Sequence, residues 1–188
     1  MSDLRPFRQY DEHDVINLFT SNLTTGTAGV LMTPGKLVKL HTDWLSSNNP
    51  ADIAGDIGFA GDASLTGKVL STTWSLTAKV QLAGATDTPL GITLVGMRDE
   101  DENGEKLIYN PRKAAEMGVV VPGESIPIMT RGLLLVSSSH ATWVPSGGGL
   151  VYCGAAGELT TSASGNVVVG TALGAKDADG FALVKIDL

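Results

Sequence analysis

Residues 119–188 read VVVPGESIPIMTRGLLLVSSSHATWVPSGGGLVYCGAAGELTTSASGNVVVGTALGAKDADGFALVKIDL. Short apolar runs at 126–129, 133–136, 150–152, 167–169 and 181–186 are separated by clusters of Gly, Ser, Asn, Asp and Pro. Runs of this length between tight-turn residues predict successive short strands. Nothing between the runs has the character of a reacting group. The stretch reads as a surface built to pack.

The bulk numbers agree with a folded β-protein. At 188 residues the chain holds one good core or two small ones sharing a face. A hydrophobic fraction of 43% with only 18% charged residues excludes a disordered polyelectrolyte. The 23 glycines exceed what a helical protein needs and suit a chain of turns and bulges. A net charge of −7 and scattered Lys and Arg argue against a nucleic-acid backbone as partner. No run reaches the ~18 apolar residues of a membrane helix. The opening MSDLRPFRQYDEHD is polar, so no leader is expected, and synthesis in a reducing cytoplasm follows. The single cysteine, Cys153, excludes an intrachain disulfide and sits in an apolar run as a small core residue.

Three segments are expected: an N-terminal arm at 1–20, a β-rich middle at 21–118 and a C-terminal barrel-like unit at 119–188. In the arm, Pro6 disfavours helix at Arg5 and leaves an extended segment with little regular structure. Residues 13–19 (HDVINLF) are expected to form one or two helical turns capped by Asp11 or Asp14. In the middle, residues 37–45 and 68–83 alternate apolar with polar, and 90–97 (LGITLVGM) predicts one buried strand. Turn signals stand at Pro34-Gly35, Asn48-Asn49-Pro50, Gly61-Asp62 and Thr88-Pro89. The acidic DEDENGEK at 99–106 then predicts a hairpin tip at Asn103-Gly104, with LIYN at 107–110 returning. Residues 110–118 are the best helical segment, with Pro111 in the first turn, Asn110 as cap and Gly118 as stop. The fold class is all-β, a barrel- or sandwich-like body with an extended arm and at most one short helix.

The search for chemistry yields rejections. DEDENG at 99–104 opens like a calcium loop, but its twelfth position is Asn110 and its flanks read as strands, so a solvated acidic tip is favoured. Residues 61–69 (GDASLTGKV) evoke a phosphate loop, yet the glycines are one residue too far apart and Val69 stands where magnesium needs a hydroxyl. His13, His41 and His140 have no ligand-spaced partners, and no G-x-S-x-G elbow exists. Trp44, Trp74 and Trp143 sit in alternating apolar contexts that favour core packing over sugar stacking. No catalytic residue, metal site or cofactor is assigned, and no enzyme is expected.

Two stretches carry a resemblance. RPFRQYDEHDVINLF at 5–19 resembles the opening of small virion structural proteins of tailed bacteriophages. The C-terminal segments 121–139, 147–161 and 167–188 are similar to phage head decoration (cement) proteins, through Val169-Gly170-Thr171-Ala172-Leu173-Gly174-Ala175 and the turn at Asp179-Gly180. The resemblance implies a protein of the capsid exterior that binds the major capsid protein, commonly as a homotrimer at threefold positions, and stabilises the shell. It implies no nucleic-acid or membrane partner. From their chemistry alone, Arg5, Phe7, Arg8 and Tyr10 are the expected capsid-binding anchors of an arm that orders on a partner, with Phe19 bracing its root. The competing expectation is a carbohydrate- or receptor-binding β-module of a tail fibre or adhesin, which would place a tryptophan on the surface.

Overall fold

The computed structural model describes residues 4–9, 11–20, 30–40, 79–138 and 140–188, and the side chains of all of these except 5–9, 30, 31 and 79. In chain order the strands are β1 (Leu4–Gln9), β2 (Val15–Thr20), β3 (Val30–Met32), β4 (Leu37–Leu40), β5 (Lys79–Leu82), β6 (Gly91–Thr93) and β7 (Gly96–Arg98). There follow the helix α1 (Pro111–Met117) and β8 (Val119–Val120), β9 (Ser125–Met129), β10 (Arg131–Val136), β11 (Leu150–Cys153), β12 (Leu159–Thr160), β13 (Val168–Ala172) and β14 (Ala182–Asp187). The fold is all-β, as the periodicity predicts, with α1 the one α-helix among the described residues.

The strands form three sheets. A six-stranded sheet has the order β1-β10-β14-β13-β11-β12, β2-β5-β4-β6-β9 close into a barrel, and β3-β7-β8 make a smaller third sheet. The three sequence segments share these sheets, since the barrel takes strands from the first, the middle and the last. Sheet and barrel are joined by one doubly bent ladder. β1 pairs antiparallel with β10, and β2 pairs antiparallel with β9, which continues into β10 through Thr130 alone. At that bend the Thr130 N–H and hydroxyl both donate to the Asp14 carbonyl, at 2.8 and 3.0 Å, and Leu188 N–H donates to the Thr130 carbonyl at 3.0 Å. The corner therefore leaves no backbone group of Thr130 without a partner.

Alternation decides which core each side chain enters. Leu134 and Val136 on β10, Val184 and Ile186 on β14, and Val151 and Cys153 on β11 form the inner face of the six-stranded sheet. They pack with Leu37, Ile92 and Met129 of the barrel strands, all completely buried. The opposite parity of those barrel strands supplies a second core of Val38, Val80, Ile126 and Ile128, shared with Met32 and Met97 of the third sheet. Each such side chain contributes about 1.5–3 kcal/mol of apolar burial. Trp143 closes the first core, its indole N–H donating to the Gly180 carbonyl at 3.2 Å.

Four local expectations need correction. The arm is a strand over Leu4–Gln9, at the outer edge of the six-stranded sheet, where a proline such as Pro6 is tolerated. Helix at 13–19 is replaced by a 3-10 turn at Glu12–Asp14, capped by the Asp11 side chain, and then by β2. The β-branched Val15 and Ile16 find partners in Met129 and Ile128, and tertiary pairing overrides the weak helical signal. The run 90–97 is two strands in two sheets, β6 in the barrel and β7 in the third sheet, with a bend at Leu94-Val95. Finally, 107–110 does not return as a strand: Leu107–Tyr109 is a 3-10 turn, and a single bridge between Glu100 and Lys106 closes the acidic tip. Helix α1 has Pro111 in its first turn and ends on left-handed Gly118 (φ 64°) as expected, though Asn110 makes no side-chain cap bond. The turn at Pro34-Gly35 is present, whereas the chain turns at 85–87, just before Thr88-Pro89. The strand readings at 41–45 and 68–78, the turns at 48–50 and 61–62, and Trp44, Trp74 and His41 lie outside the described residues.

Gly170 offers a direct test of the β13–β14 contact, because a Cβ there would stand 2.1 Å from the Lys185 carbonyl oxygen. Gly170→Ala is expected to lower stability by about 1–3 kcal/mol or more through backbone displacement. Gly174→Ala, which meets open space, is expected to stay within about 0.5 kcal/mol of the parent. Thermal or denaturant unfolding of the two variants checks both.

Candidate functional site

Any chemistry needs polar groups brought together. His13 and its 2.6 Å neighbour Asp11 are exposed and serve the corner before β2. His140 lies in a hydroxyl network: its Nδ1 meets the Thr142 hydroxyl at 2.7 Å, which meets the Thr160 hydroxyl at 2.5 Å. Its Nε2 stands 3.8 Å from Glu158. Ser138 in the same network donates to the Leu159 carbonyl, and Thr161 to the Thr142 carbonyl. These contacts pin the 138–144 loop onto β12. Ser138 and Thr161 thus spend their hydroxyls on carbonyls. Cys153 is buried, and burial pushes its thiol up to about 12, so it is an inert core group. Trp143 is inside the core and offers no stacking platform.

The acidic tip is held from within rather than solvated throughout. The Asp101 carboxylate is completely buried, with Oδ1 accepting the N–H groups of Asn103 (2.7 Å) and Glu105 (2.8 Å). Its other oxygen meets Lys113 of α1. Lys106 lies outside the turn and pairs with Glu100 at 2.7 Å and Asp99 at 3.1 Å. Among the described residues no group of three or more metal-ligating side chains forms. Asp101 therefore braces the loop with its own backbone and a lysine.

What the geometry does offer is surface. β11, β13, β14, β10 and β1 place residues in register across the six-stranded sheet: Leu150, Thr171, Lys185, Leu133 and Gln9 form one row. The next row on the same face pairs Leu135 with Leu183, beside which Leu173 N–H donates to the Leu183 carbonyl at 2.8 Å. Leu173 (47%), Leu150 (48%) and Val168 (46%) are exposed, although the inner face of the sheet is already packed on the barrel. Charge on this face comes from Lys185 within that row and from Arg131, paired with Asp187 at 2.8 Å, in the row beyond it. A solvent-facing sheet surface normally alternates to polar residues, so the exposed Leu150, Val168 and Leu173 on this one mark a contact area.

The expected anchors stand as follows. Arg5, Phe7 and Arg8 lie on β1, at the edge of this same sheet, and their side chains are outside the described residues, as is the whole of Tyr10. Phe19 is elsewhere, partly buried on β2 of the barrel opposite Lys79 and Ser125. The outer-face leucines were missed in sequence reasoning, yet a signal existed. LLLV at 133–136 is apolar at both parities, the pattern of a strand covered on two sides.

The braced tip gives a pH test. Lys113, then the loop N–H groups, hold Asp101 down to about 2 from an ordinary 3.8. A depressed folded pKa means that the carboxylate's contribution is fully present above about pH 4 and is lost as pH falls through 4 toward 2. The stability lead of the parent over Asp101→Asn is therefore expected to shrink across that window, as read from denaturation midpoints at a series of pH values. An unchanging lead would show that the charge does no such bracing.

The comparisons with known proteins agree with a surface and not a reaction centre. The family model described as structural cement protein (E217 gp24/Pam3 gp6) matches residues 19–188. No curated protein and no solved structure matches the chain. A match over that span takes in every described strand except β1 and most of β2. The chain belongs to the phage structural cement proteins, components of the virion that associate with the capsid and stabilise it.

Proposed function

We propose that this cement protein binds the outer surface of a tailed-phage shell, as a trimer at threefold positions, through the outer face of the six-stranded sheet and its β1 edge. The observation that supports the reading is the apolar row Leu135, Leu183 and Leu173 on a face whose sheet needs no further cover to fold. β1 is the edge strand of that sheet, so Arg5, Phe7, Arg8 and Tyr10 would act from its rim and not as a separate tail. Phe19, on β2, would brace the corner that sets β1 in place. The arginines suit acceptor groups on the major capsid protein, and the aromatic rings suit its apolar recesses. Each copy contributes modest burial, and closed symmetry multiplies it into avidity. No step in this mechanism makes or breaks a covalent bond.

Purified protein is expected to scatter light as a trimer of the 19.5 kDa chain and to saturate expanded shells of its own major capsid protein. Leu173→Glu and the double change Arg5→Glu/Arg8→Glu are expected to weaken shell binding about tenfold or more while unfolding like the parent. A protein that never sediments with those shells would refute the reading. Full saturation by the arginine double variant would remove the arm from it.

A further inference from the structure

A second exposed apolar feature lies outside the six-stranded sheet. β7 and β8 run parallel, and parallel neighbours need a crossover, which residues 99–118 supply. This excursion has its own small core of Leu107, Ala114 and Val121. The 3-10 turn at Leu107–Tyr109 puts Leu107 into that core and turns the next two residues outward. Ile108 is 43% exposed and Tyr109 82%, the most exposed of the large apolar side chains described. The turn beneath them is rigidly held. Leu107 N–H donates to the Asp99 carbonyl at 3.0 Å, Asn110 N–H to the Leu107 carbonyl at 2.9 Å, and Lys113 crosses to the buried Asp101. An aromatic side chain on a fixed base loses little freedom on binding, which is what makes tyrosine an effective anchor.

The charge around this knob is uneven in an informative way. Asp99 and Glu100 share Lys106, Asp101 has Lys113, and Glu116 has Arg112 at 3.0 Å. Glu102 and Glu105, both exposed, have no ion pair among the described residues. The excursion thus presents an apolar tip beside surplus negative charge.

We infer that Ile108 and Tyr109, with Glu102 and Glu105 on the same excursion, form a second attachment point that fits an apolar socket rimmed by lysine or arginine on a protein subunit of the shell. The identity of that partner rests on the capsid-binding reading above. Charge complementarity selects the socket: a rim of like charge would repel these two carboxylates, and a neutral one would leave them unused. Knob and sheet face belong to different cores, the knob to that of the excursion and the sheet to that shared with the barrel. A protein carrying two separate contact areas can bridge two shell subunits, which is how a cement adds strength that a single patch cannot.

The test measures binding of the full-length protein to empty expanded shells of its major capsid protein, at low and at high salt, with three proteins: the parent, Tyr109→Ala and Glu102→Lys/Glu105→Lys. Tyr109→Ala is expected to weaken binding about tenfold or more with an unchanged unfolding temperature, because the ring packs on nothing the fold needs. The charge-reversal variant is expected to associate more slowly than the parent at low salt and to approach it at high salt. Parent protein that fails to bind shells overturns the capsid-binding reading, and this inference with it. Parent that binds while both variants match it overturns the knob alone. Variants that change the oligomer mass but still bind shells like the parent would assign the knob to another copy of this chain, and so also overturn it.

Discussion

The bend at Thr130 is the constraint on which the rest of the structure depends. Two strand pairs, β1 with β10 and β2 with β9, are one antiparallel ladder folded through a corner. A ladder can turn that sharply only if the groups released at the corner find other partners. The Asp14 carbonyl takes both donors of Thr130, and the Thr130 carbonyl takes Leu188 at the far end of the chain. The 3-10 turn at Glu12–Asp14, capped by Asp11, makes the matching bend on the other strand. Because the same two chain segments run through both, barrel and sheet meet at a fixed angle, and the first core fills the space between them.

That arrangement makes sense of a protein that acts by adhesion. A cement stabilises a shell only if load taken at one contact reaches another without the body opening in between. Its weakest point would be the junction of two packed layers. Here the junction consists of continuous backbone, a shared apolar core and hydrogen bonds to both chain ends of the bent strands. The polar clusters serve the same purpose: the His140–Thr142–Thr160 network ties a loop to the sheet, and Asp101 ties the acidic tip at 99–106 to α1.

The strand content of the last seventy residues was legible because each strand there is a short apolar run ending in a turn signal of its own. β9, β10, β11, β13 and β14 all lie where the periodicity puts them. Strand partners were not legible. Nothing local to LRPFRQ says that it pairs with residues more than a hundred positions away, and nothing in HDVINLF reveals that β9 will claim it from a helix. The break in LGITLVGM was hidden for a related reason: one apolar run serves two sheets, and only the third dimension separates them. As for the site, arginines and aromatics in the first twenty residues drew the eye because they are chemically conspicuous. The leucines of the outer face and Tyr109 did not, because an apolar residue announces itself as a contact only when the fold leaves it uncovered.

The central claim is that sheet and barrel form one mechanical unit through the bent ladder. Native-state hydrogen exchange tests it most directly, by comparing the amides of Ile126 and Ile128 in β9 with those of Leu134 and Val136 in β10. All four are expected to open with the same free energy, that of global unfolding, because neither half of the ladder can separate without the other. Barrel amides that open at a distinctly lower free energy than the sheet amides would contradict the account.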